Sequence, residues 1–219
     1  MIRVAVAGAA GRMGATTCAA VEAADDLELT GRADPALGTP LESVLDGADV
    51  VVDFTRPDAA VPNARACVQA GVHVVIGTTG WQEQDLREAV RGAPANAFAA
   101  PNFAIGAVLM MRFAAEAARH MERAEIVELH HATKLDAPSG TAKRTAAMMG
   151  GDVPIHSVRL PGIVADQEVI LGDVAQTLTI RHSTTDRTSF MPGVLLAVRA
   201  VADLPESPVI GLEHLLWPS

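Results

Sequence analysis

The sequence predicts an α/β fold in which a parallel sheet with helical crossovers is followed by a smaller α+β domain with a mixed sheet. Strand and helix signals alternate through the first hundred residues, which is typical of parallel strands joined by right-handed crossovers. A glycine-rich turn directly follows the first strand. From about residue 105 the alternation ends, and three later strand signals follow one another without helices between them.

The elements of the first half can be justified in order. Residues 2–8 form a continuous apolar run that ends at glycine, the pattern of a strand buried on both faces. Residues 11–24 carry apolar side chains at helical spacing, and Pro57 favours the first turn of a further helix. The remaining signals predict strands over 27–34, 48–55, 72–77 and 96–102, and helices over 57–70 and 82–91.

The second half begins with a long helix rich in alanine and methionine, predicted over about 105–121. It leads to a strand over 124–131, a loop rich in charged and turn residues, and a helix from Pro138. The segments HSVRL, EVILG and AQTLTIRH predict the strands of a mixed or antiparallel sheet, and a last helix is predicted over 191–201. We therefore expect a first domain over 1–103, a second over 104–190, and a C-terminal segment over 191–219 that returns to the first.

The composition narrows the possible functions. The 219 residues carry a net charge of −9, and the aromatic residues are five Phe and two Trp with no Tyr. The core must therefore be aliphatic, and a Tyr–Lys dehydrogenase of the short-chain type is excluded because its proton donor is missing. An acidic chain with few rings also lacks the features of a protein that binds nucleic acid or an anionic membrane. With no apolar run of 18 residues and no leader pattern, we expect a cytoplasmic protein.

A phosphate-binding turn is predicted between the first strand and the first helix. Gly8, Gly11 and Gly14 suit the tight turn, the close approach of a pyrophosphate and the helix–strand packing that such a turn requires. Asp34 follows 20 residues after Gly14, where a carboxylate bonds a ribose hydroxyl. The spacing GxxGxxG is less specific than GxGxxG, and the alternative is a small-residue turn that only packs tightly. With the strand, the helix and the acid in place, the pattern favours a Rossmann-type dinucleotide domain.

The expected cofactor is NADH or NADPH. The carboxylate of Asp34 favours NADH because it repels a 2′-phosphate. Arg12 and Arg32 could offset that repulsion, so NADPH stays open, and the alternative for either arginine is a solvated surface charge.

Two further turns follow later strands of the predicted parallel sheet. They read Gly77-Thr78-Thr79-Gly80 and Ala100-Pro101-Asn102-Phe103. Ligands of open parallel sheets bind outside the carboxyl ends of the strands, so both turns lie where a nicotinamide would reach. The alternative is ordinary loop chemistry.

The most unusual chemistry of the chain lies in a short basic cluster. His130, His131 and Lys134 stand within five residues at a predicted strand end, and Lys134 is one of only two lysines in the chain. An ammonium can donate a proton near neutral pH, whereas a guanidinium stays charged. The helix start at Ser139-Gly140-Thr141 adds free N–H groups and two hydroxyls, a combination that suits a carboxylate.

Two other interpretations of the cluster stay open. A zinc site would need to recruit His120 or Glu128, because two histidines are too few and no HxxxH or HExxH spacing supplies a third ligand; we predict no metal. In a purely structural interpretation, the histidines end the strand and Lys134 pairs with Asp136 in solvent. The isolated histidines at positions 73, 156, 182 and 214 are predicted to be structural.

These motifs together resemble the 4-hydroxy-tetrahydrodipicolinate reductase (dihydrodipicolinate reductase) family of diaminopimelate and lysine biosynthesis. The block HHATKLDAPSGTA is the most specific element, and VDFTRPD, IGTTG, APNFAIG and LPGIVADQEVILG agree with it. The resemblance runs from Ile2 to the C-terminal segment. The chain departs from the family after the helix that follows Thr141, where GGDVP makes a shorter connection than expected.

The resemblance implies a role for each motif. His130 is the implied proton donor and acceptor and Lys134 the proton donor, while His131, Gly140 and Thr141 would bind the carboxylates of a small cyclic dicarboxylate substrate. The implied dinucleotide contacts are Gly8, Ala9, Ala10, Gly11, Arg12 and Met13, with Asp34 at the adenosine ribose and Gly77, Thr78, Thr79, Ala100, Pro101, Asn102 and Phe103 around the nicotinamide. It also implies a homotetramer that associates through the sheet of the second domain.

Two other functions are considered. One is a different NAD(P)-dependent enzyme on the same layout, such as an aspartate-dehydrogenase-like enzyme. The other is a non-catalytic NAD sensor, which would keep the glycines but has no need of His130, His131 and Lys134.

Overall fold

The computed structural model describes residues 1–217. The chain divides into two compact units. Unit 1 comprises Met1–Phe103 together with residues 190–217, and unit 2 comprises Ala104–Ser189.

The helices and strands follow in chain order. Unit 1 begins with β1 (Ile2–Ala7), α1 (Arg12–Glu22), β2 (Leu27–Ala33), α2 (Glu42–Leu45), β3 (Val50–Asp53), α3 (Pro57–Gln69), β4 (His73–Ile76), α4 (Glu83–Ala89) and β5 (Ala97–Ala99). Unit 2 contains α5 (Ile105–Ala117), β6 (Arg123–His130), α6 (Gly140–Met148), β7 (Ile155–Arg159), β8 (Ala165–Asp173) and β9 (Gln176–Thr184). The chain then adds α7 (Met191–Ala200), β10 (Val209–Ile210) and α8 (Glu213–Leu216) to unit 1.

Unit 1 is built on a six-stranded sheet in the order β10-β5-β4-β3-β1-β2, with every neighbouring pair parallel. All four residues of β3 and the last four of β1 are buried, as expected for strands covered on both faces. Because the strands are parallel, the turns that follow β1, β3, β4 and β5 lie at one edge of the sheet. The predicted α/β class with a Rossmann-type sheet is confirmed.

Unit 2 carries a four-stranded sheet in the order β7-β6-β8-β9. The pair β6–β7 is parallel, and the pairs β6–β8 and β8–β9 are antiparallel, so the predicted mixed sheet is confirmed. Helices α5 and α6 pack on the face where Ile126, Val169 and Leu171 are buried. Glu128 and Gln167 are buried as well and pair in register within this sheet.

Several element ends differ from the predicted ones because local hydrogen bonds decide them. Strand β2 ends at Ala33, and Asp34 starts a 3₁₀ turn by accepting a hydrogen bond from the Ala36 N–H at 2.8 Å. Helix α6 begins at Gly140 rather than Pro138, since the Ser139 hydroxyl caps it by accepting from the Ala142 N–H. Helix α2 had no clear sequence signal, because four residues are too short for a recognisable period.

Within residues 1–217, no helix combines the length and apolar character needed to cross a membrane.

The turn between β1 and α1 depends on two glycines. Gly8 has a φ of +77°, a conformation that side chains rarely adopt. A Cβ on Gly14 would stand 2.0 Å from the backbone oxygen of Gly8, so helix and turn touch directly. No flexible side chain is present there to move aside.

We expect Gly14→Ala to lower the melting temperature by about 3 to 10 °C, because backbone overpacking costs about 1 to 3 kcal/mol. The measurement is thermal unfolding followed by circular dichroism. Gly172→Ala is the matched control, since a Cβ there meets no atom within 4 Å. Equal melting temperatures for the two variants would contradict the close-packing argument.

Neutral His73 contributes to the stability of unit 1. Its Nδ1 accepts a hydrogen bond from the backbone N–H of Asn96 at 3.0 Å, and burial lowers its pKa. The unfolded chain therefore binds a proton near pH 6.5 that the folded chain binds only at lower pH. The stabilisation is present above that pH and is lost as the pH falls below it.

We expect the free energy of unfolding in urea to fall more between pH 7.5 and pH 5.5 in the natural chain than in His73→Gln, which cannot titrate there. His120→Gln, at an exposed position, controls for the change of residue type. The same pH dependence in the natural chain and in His73→Gln would show that His73 does not contribute.

Candidate functional site

The turn after β1 presents backbone N–H groups at the start of α1. Gly11 is the N-cap residue, and within residues 1–217 no side chain caps this helix start. A Cβ on Gly8 would lie 2.4 Å from the Phe54 backbone oxygen, so only glycine fits there. Ala9 is buried and Ala10 exposed in the same turn, with Gly11 and Arg12 exposed and Met13 half-buried. An uncapped helix start behind a glycine turn is suited to a phosphate group.

Asp34 lies beside this turn. Its carboxylate accepts hydrogen bonds from the Ala10 N–H at 3.1 Å and from the Ala36 N–H at 2.8 Å. Arg32 pairs instead with Glu22 at 2.6 Å, and both side chains are about half exposed. The charge of Arg32 is therefore balanced by Glu22, while the carboxylate of Asp34 is held by neutral backbone donors.

A buried carboxylate that the sequence did not single out joins the turns after β3 and β4. Asp53 is fully buried, and its Oδ1 accepts from the N–H and hydroxyl of Thr55 and from the Thr78 hydroxyl, at 2.7 to 3.0 Å. Its Oδ2 accepts from the Asn63 amide at 2.8 Å. Four donors satisfy this buried side chain and hold Thr78, one of the predicted residues, against the turn after β3.

An aromatic contact brings the remaining strand-end turns of unit 1 together. The Phe54 ring occupies the space where a Cβ on Gly77 would stand, 2.0 Å from its Cε1. Phe54 and Phe103 meet edge to face with ring centroids 6.2 Å apart, and Phe103 packs in the same way on Phe98. The turns of Gly77 and Phe103 are therefore neighbours at this edge. Among the other predicted residues, Thr79 and Pro101 are exposed, Asn102 is half-buried and Ala100 is buried.

The chemistry of unit 2 is organised around Glu128 on β6. Glu128 is fully buried, and its Oε2 is hydrogen-bonded to Nδ1 of His130, the last residue of the strand. Arg159, opposite His130 in the parallel register, holds the carboxylate with both terminal nitrogens, at 2.9 and 2.7 Å. The Ser139 N–H reaches Oε1 at 3.3 Å, which attaches the start of α6 to the same carboxylate.

This arrangement sets the protonation of both groups. Burial alone would raise the pKa of Glu128, but hydrogen bonds from Arg159, Ser157 and His130 outweigh it and lower the pKa to about 2. Burial lowers the pKa of His130, and this effect, reinforced by the positive charges of Lys134 and Arg159, exceeds the opposing influence of Glu128. At neutral pH the pair is an ionised carboxylate beside a neutral imidazole.

The loop after β6 carries the other predicted residues. His131 is exposed, and its Nδ1 is hydrogen-bonded to the Thr133 hydroxyl at 2.8 Å. Lys134 is 22% exposed and donates from Nζ to Asp136 Oδ1 at 2.6 Å, so the ion pair of the structural interpretation is present. Gly140 and Thr141 are the first two residues of α6.

The structural interpretation does not account for His130, which bonds a buried carboxylate rather than only ending a strand. Glu128 entered the sequence argument only as a possible metal ligand, although its place two residues before His130 puts both on one face of a strand. Arg159 had no sequence signal, because only the register of β7 brings it to this position. In the part of the chain from residue 1 to 217, no three His, Cys, Asp or Glu side chains form a group that could hold a metal ion.

Comparison with known proteins matches both halves of the chain to one family. The N-terminal model of dihydrodipicolinate reductase matches residues 2–103, and the C-terminal model matches residues 106–216. The 4-hydroxy-tetrahydrodipicolinate reductase of Thermobifida fusca is 49% identical, with 99% of each chain covered. The enzyme of that name from Mycolicibacterium gilvum is 45% identical, with 98% of this chain and 99% of the relative covered.

A solved structure agrees with these relatives. The dipicolinate-bound dihydrodipicolinate reductase of Paenisporosarcina sp. TG-14 is 36% identical, with a TM-score of 0.88 over 98% of this chain and 99% of that one. The alignment with the M. gilvum relative has 245 positions, 26 more than the 219 residues of this chain, so that relative carries segments that are missing here. Both family models and the full-length relatives lead to one conclusion: the chain belongs to the dihydrodipicolinate reductase family.

Proposed function

We propose that this protein reduces 4-hydroxy-tetrahydrodipicolinate to tetrahydrodipicolinate with NADH or NADPH, in the diaminopimelate route to lysine. The observation that carries the proposal is the match of both family models, together with relatives of this activity that are 45 to 49% identical over their full length. The His130–Glu128 pair and Lys134 support it, because a non-catalytic sensor has no need of a buried carboxylate behind an imidazole.

The cofactor site is proposed at the strand-end edge of unit 1. Gly8 to Met13 would hold the pyrophosphate, Asp34 the adenosine ribose, and the segments 77–79 and 100–103 the nicotinamide. These residues fit a dinucleotide for two reasons: the glycine turn has space that a Cβ at Gly8 or Gly14 would fill, and the start of α1 has no side-chain cap. When bound, the reduced nicotinamide supplies the hydride.

The chain's own residues supply the proton chemistry. Reduction consumes one proton, and loss of the substrate's hydroxyl as water needs an acid beside the leaving oxygen. His130 would transfer a proton at Nε2, the nitrogen that Glu128 does not engage. Lys134 would donate from Nζ, since an ammonium has three protons and the bond to Asp136 engages one of them. His131, Gly140 and Thr141 would bind the substrate carboxylates through an imidazole, helix-start N–H groups and a hydroxyl.

We further propose a cytoplasmic homotetramer, as the family resemblance implies. The partly exposed apolar residues Val127, Leu129 and Ile170 on β6 and β8 support association through the sheet of unit 2. The partner for the reaction is a small cyclic dicarboxylate, and neither nucleic acid nor membrane is proposed.

The function is tested by the loss of absorbance at the nicotinamide band when 4-hydroxy-tetrahydrodipicolinate is added, with each cofactor in turn. We expect oxidation with both cofactors and a higher kcat/KM with NADH, because Asp34 repels a 2′-phosphate and Arg32 is paired with Glu22. Oxidation with oxaloacetate plus ammonia instead would favour an aspartate dehydrogenase. Tight NADH binding without any oxidation would favour a sensor.

The two lysines provide a matched pair of variants. We expect Lys134→Met and His130→Gln to lower kcat by about 10² to 10⁴-fold, the usual contribution of a positioned proton donor. Lys143→Met, at an exposed position on α6, should keep the kcat of the natural chain. NADH affinity, measured by fluorescence titration, should be the same in all three variants. Turnover near that of the natural chain in Lys134→Met would remove the role assigned to Lys134.

A further inference from the structure

The carboxylate of Glu128 is saturated by donors that come from three parts of unit 2. Arg159 on β7 bonds both oxygens, the Ser139 N–H at the start of α6 bonds Oε1, and His130 at the end of β6 bonds Oε2. With 0% of the residue exposed, solvent does not compete for these positions. A carboxylate with all these hydrogen bonds has one orientation, and it therefore also fixes the orientation of a group that is hydrogen-bonded to it.

We propose that Glu128 and Arg159 are positioning residues that fix His130 as the Nδ1–H tautomer and so make Nε2 its proton-transfer atom. This proposal rests on the proposed function, in which His130 exchanges a proton with the substrate. It adds two residues that act through His130.

The tautomer follows from the chemistry of the bond. An ionised carboxylate can only accept, so the hydrogen bond between Glu128 and His130 requires a proton on Nδ1. A neutral imidazole has one such proton, and its lone pair is then on Nε2. When the ring takes up a second proton, that proton is on Nε2 and Nδ1 still faces Glu128. The ring therefore gains and loses its proton at one atom without turning over.

Arg159 offsets the free-energy cost of burying the carboxylate of Glu128. A single carboxylate without a partner would be strongly disfavoured in the interior, whereas the two-pronged bond from a guanidinium supplies the opposite charge and fixes the carboxylate plane. The same Nη2 also donates to the backbone oxygen of Asp136 at 2.7 Å, and the Asp136 side chain holds Lys134. Arg159 thus connects the Glu128–His130 pair to the loop that carries Lys134.

The first experiment reads the tautomer directly in the natural full-length protein. Nitrogen-15 NMR at pH 8 distinguishes a protonated ring nitrogen from one with a lone pair, and the His130 signals are assigned by their loss in His130→Gln. We expect a protonated Nδ1 and an unprotonated Nε2. A protonated Nε2 would overturn the proposal, and this measurement does not depend on any activity.

The second experiment removes the fixed charge. Glu128→Gln keeps the shape but offers both a donor and an acceptor, so either tautomer is allowed. We expect kcat to fall about 10² to 10⁴-fold, as when the orienting carboxylate of a catalytic histidine is replaced by its amide, with the KM for NADH unchanged and the NMR signals showing mixed tautomers. A correctly folded Glu128→Gln with kcat within threefold of the natural chain would overturn the proposal.

Arg159 provides the test should Glu128→Gln fail to fold. We expect Arg159→Met to lower kcat about 10² to 10³-fold, the loss expected when the orientation of a proton-transfer group is disturbed, and Arg159→Lys, which keeps the charge without the fork, to recover part of that loss. Arg181 pairs with Asp166 at 2.8 Å in the same sheet, so Arg181→Met is the matched control for loss of an arginine–carboxylate pair. An equal loss of kcat in Arg159→Met and Arg181→Met would indicate a general structural effect and overturn the proposal.

The two hypotheses can fail separately. If the natural protein does not oxidise NADH with 4-hydroxy-tetrahydrodipicolinate, the proposed function fails, while the NMR result still decides which nitrogen of His130 carries the proton. If it does oxidise NADH but the Nε2–H tautomer is found, the function stands and the positioning role of Glu128 and Arg159 fails.

Discussion

A buried carboxylate is tolerated only where enough donors surround it, and this constraint organises both units of the protein. Among residues 1–217, the buried acidic residues are Asp53 and Glu128, and neither is accessible to solvent. Each lies at or near the carboxyl end of an interior strand of its sheet. Some of the donors come from neighbouring turns, namely Thr55 and Thr78 at Asp53 and the Ser139 N–H at Glu128. The conformations of those turns are therefore tied to the burial of the two side chains.

The consequence differs between the units because the donors differ. Around Asp53 the donors are neutral hydroxyl, amide and backbone groups, and the result is a fixed set of turns at the edge of a parallel sheet. Around Glu128 they include a guanidinium and an imidazole, so the result is a defined protonation state as well as a defined geometry. One network fixes the turns at the carboxyl ends of the parallel strands, and the other fixes the imidazole of His130.

The aliphatic composition is consistent with this difference between the two networks. A chain without tyrosine has no phenol to serve as a buried proton donor, and its interior is filled by valine, alanine and leucine with few polar side chains. The imidazole of His130 lies instead at a strand end, and the ammonium of Lys134 lies in the loop that follows it. Asp136 and Arg159 connect the loop of Lys134 to the buried network.

Much of the fold could be predicted because its signals are local. The apolar run of β1, the glycines at 8, 11 and 14, and the consecutive strand signals after residue 155 each reflect a backbone requirement that neighbouring residues reveal. Element ends were less predictable. The start of α6 depends on a hydrogen bond from Ala142 to the Ser139 hydroxyl, and the end of β2 on the turn that Asp34 caps. A capping hydrogen bond and the extension of the helix or strand by one more residue differ little in free energy, so the sequence does not show which of them occurs.

The candidate site, too, could be predicted only in part from the sequence. The sequence by itself determined which groups are available, namely a glycine turn with an acid after the next strand, and an imidazole and an ammonium four residues apart in a chain with two lysines. Only the tertiary structure decided how those groups are held. Arg159 reaches Glu128 across 31 residues of chain, and Thr78 reaches Asp53 across 25. Residue types follow from the chain alone, but burial and hydrogen-bond partners exist only once distant segments pack together, and these fix charge and orientation.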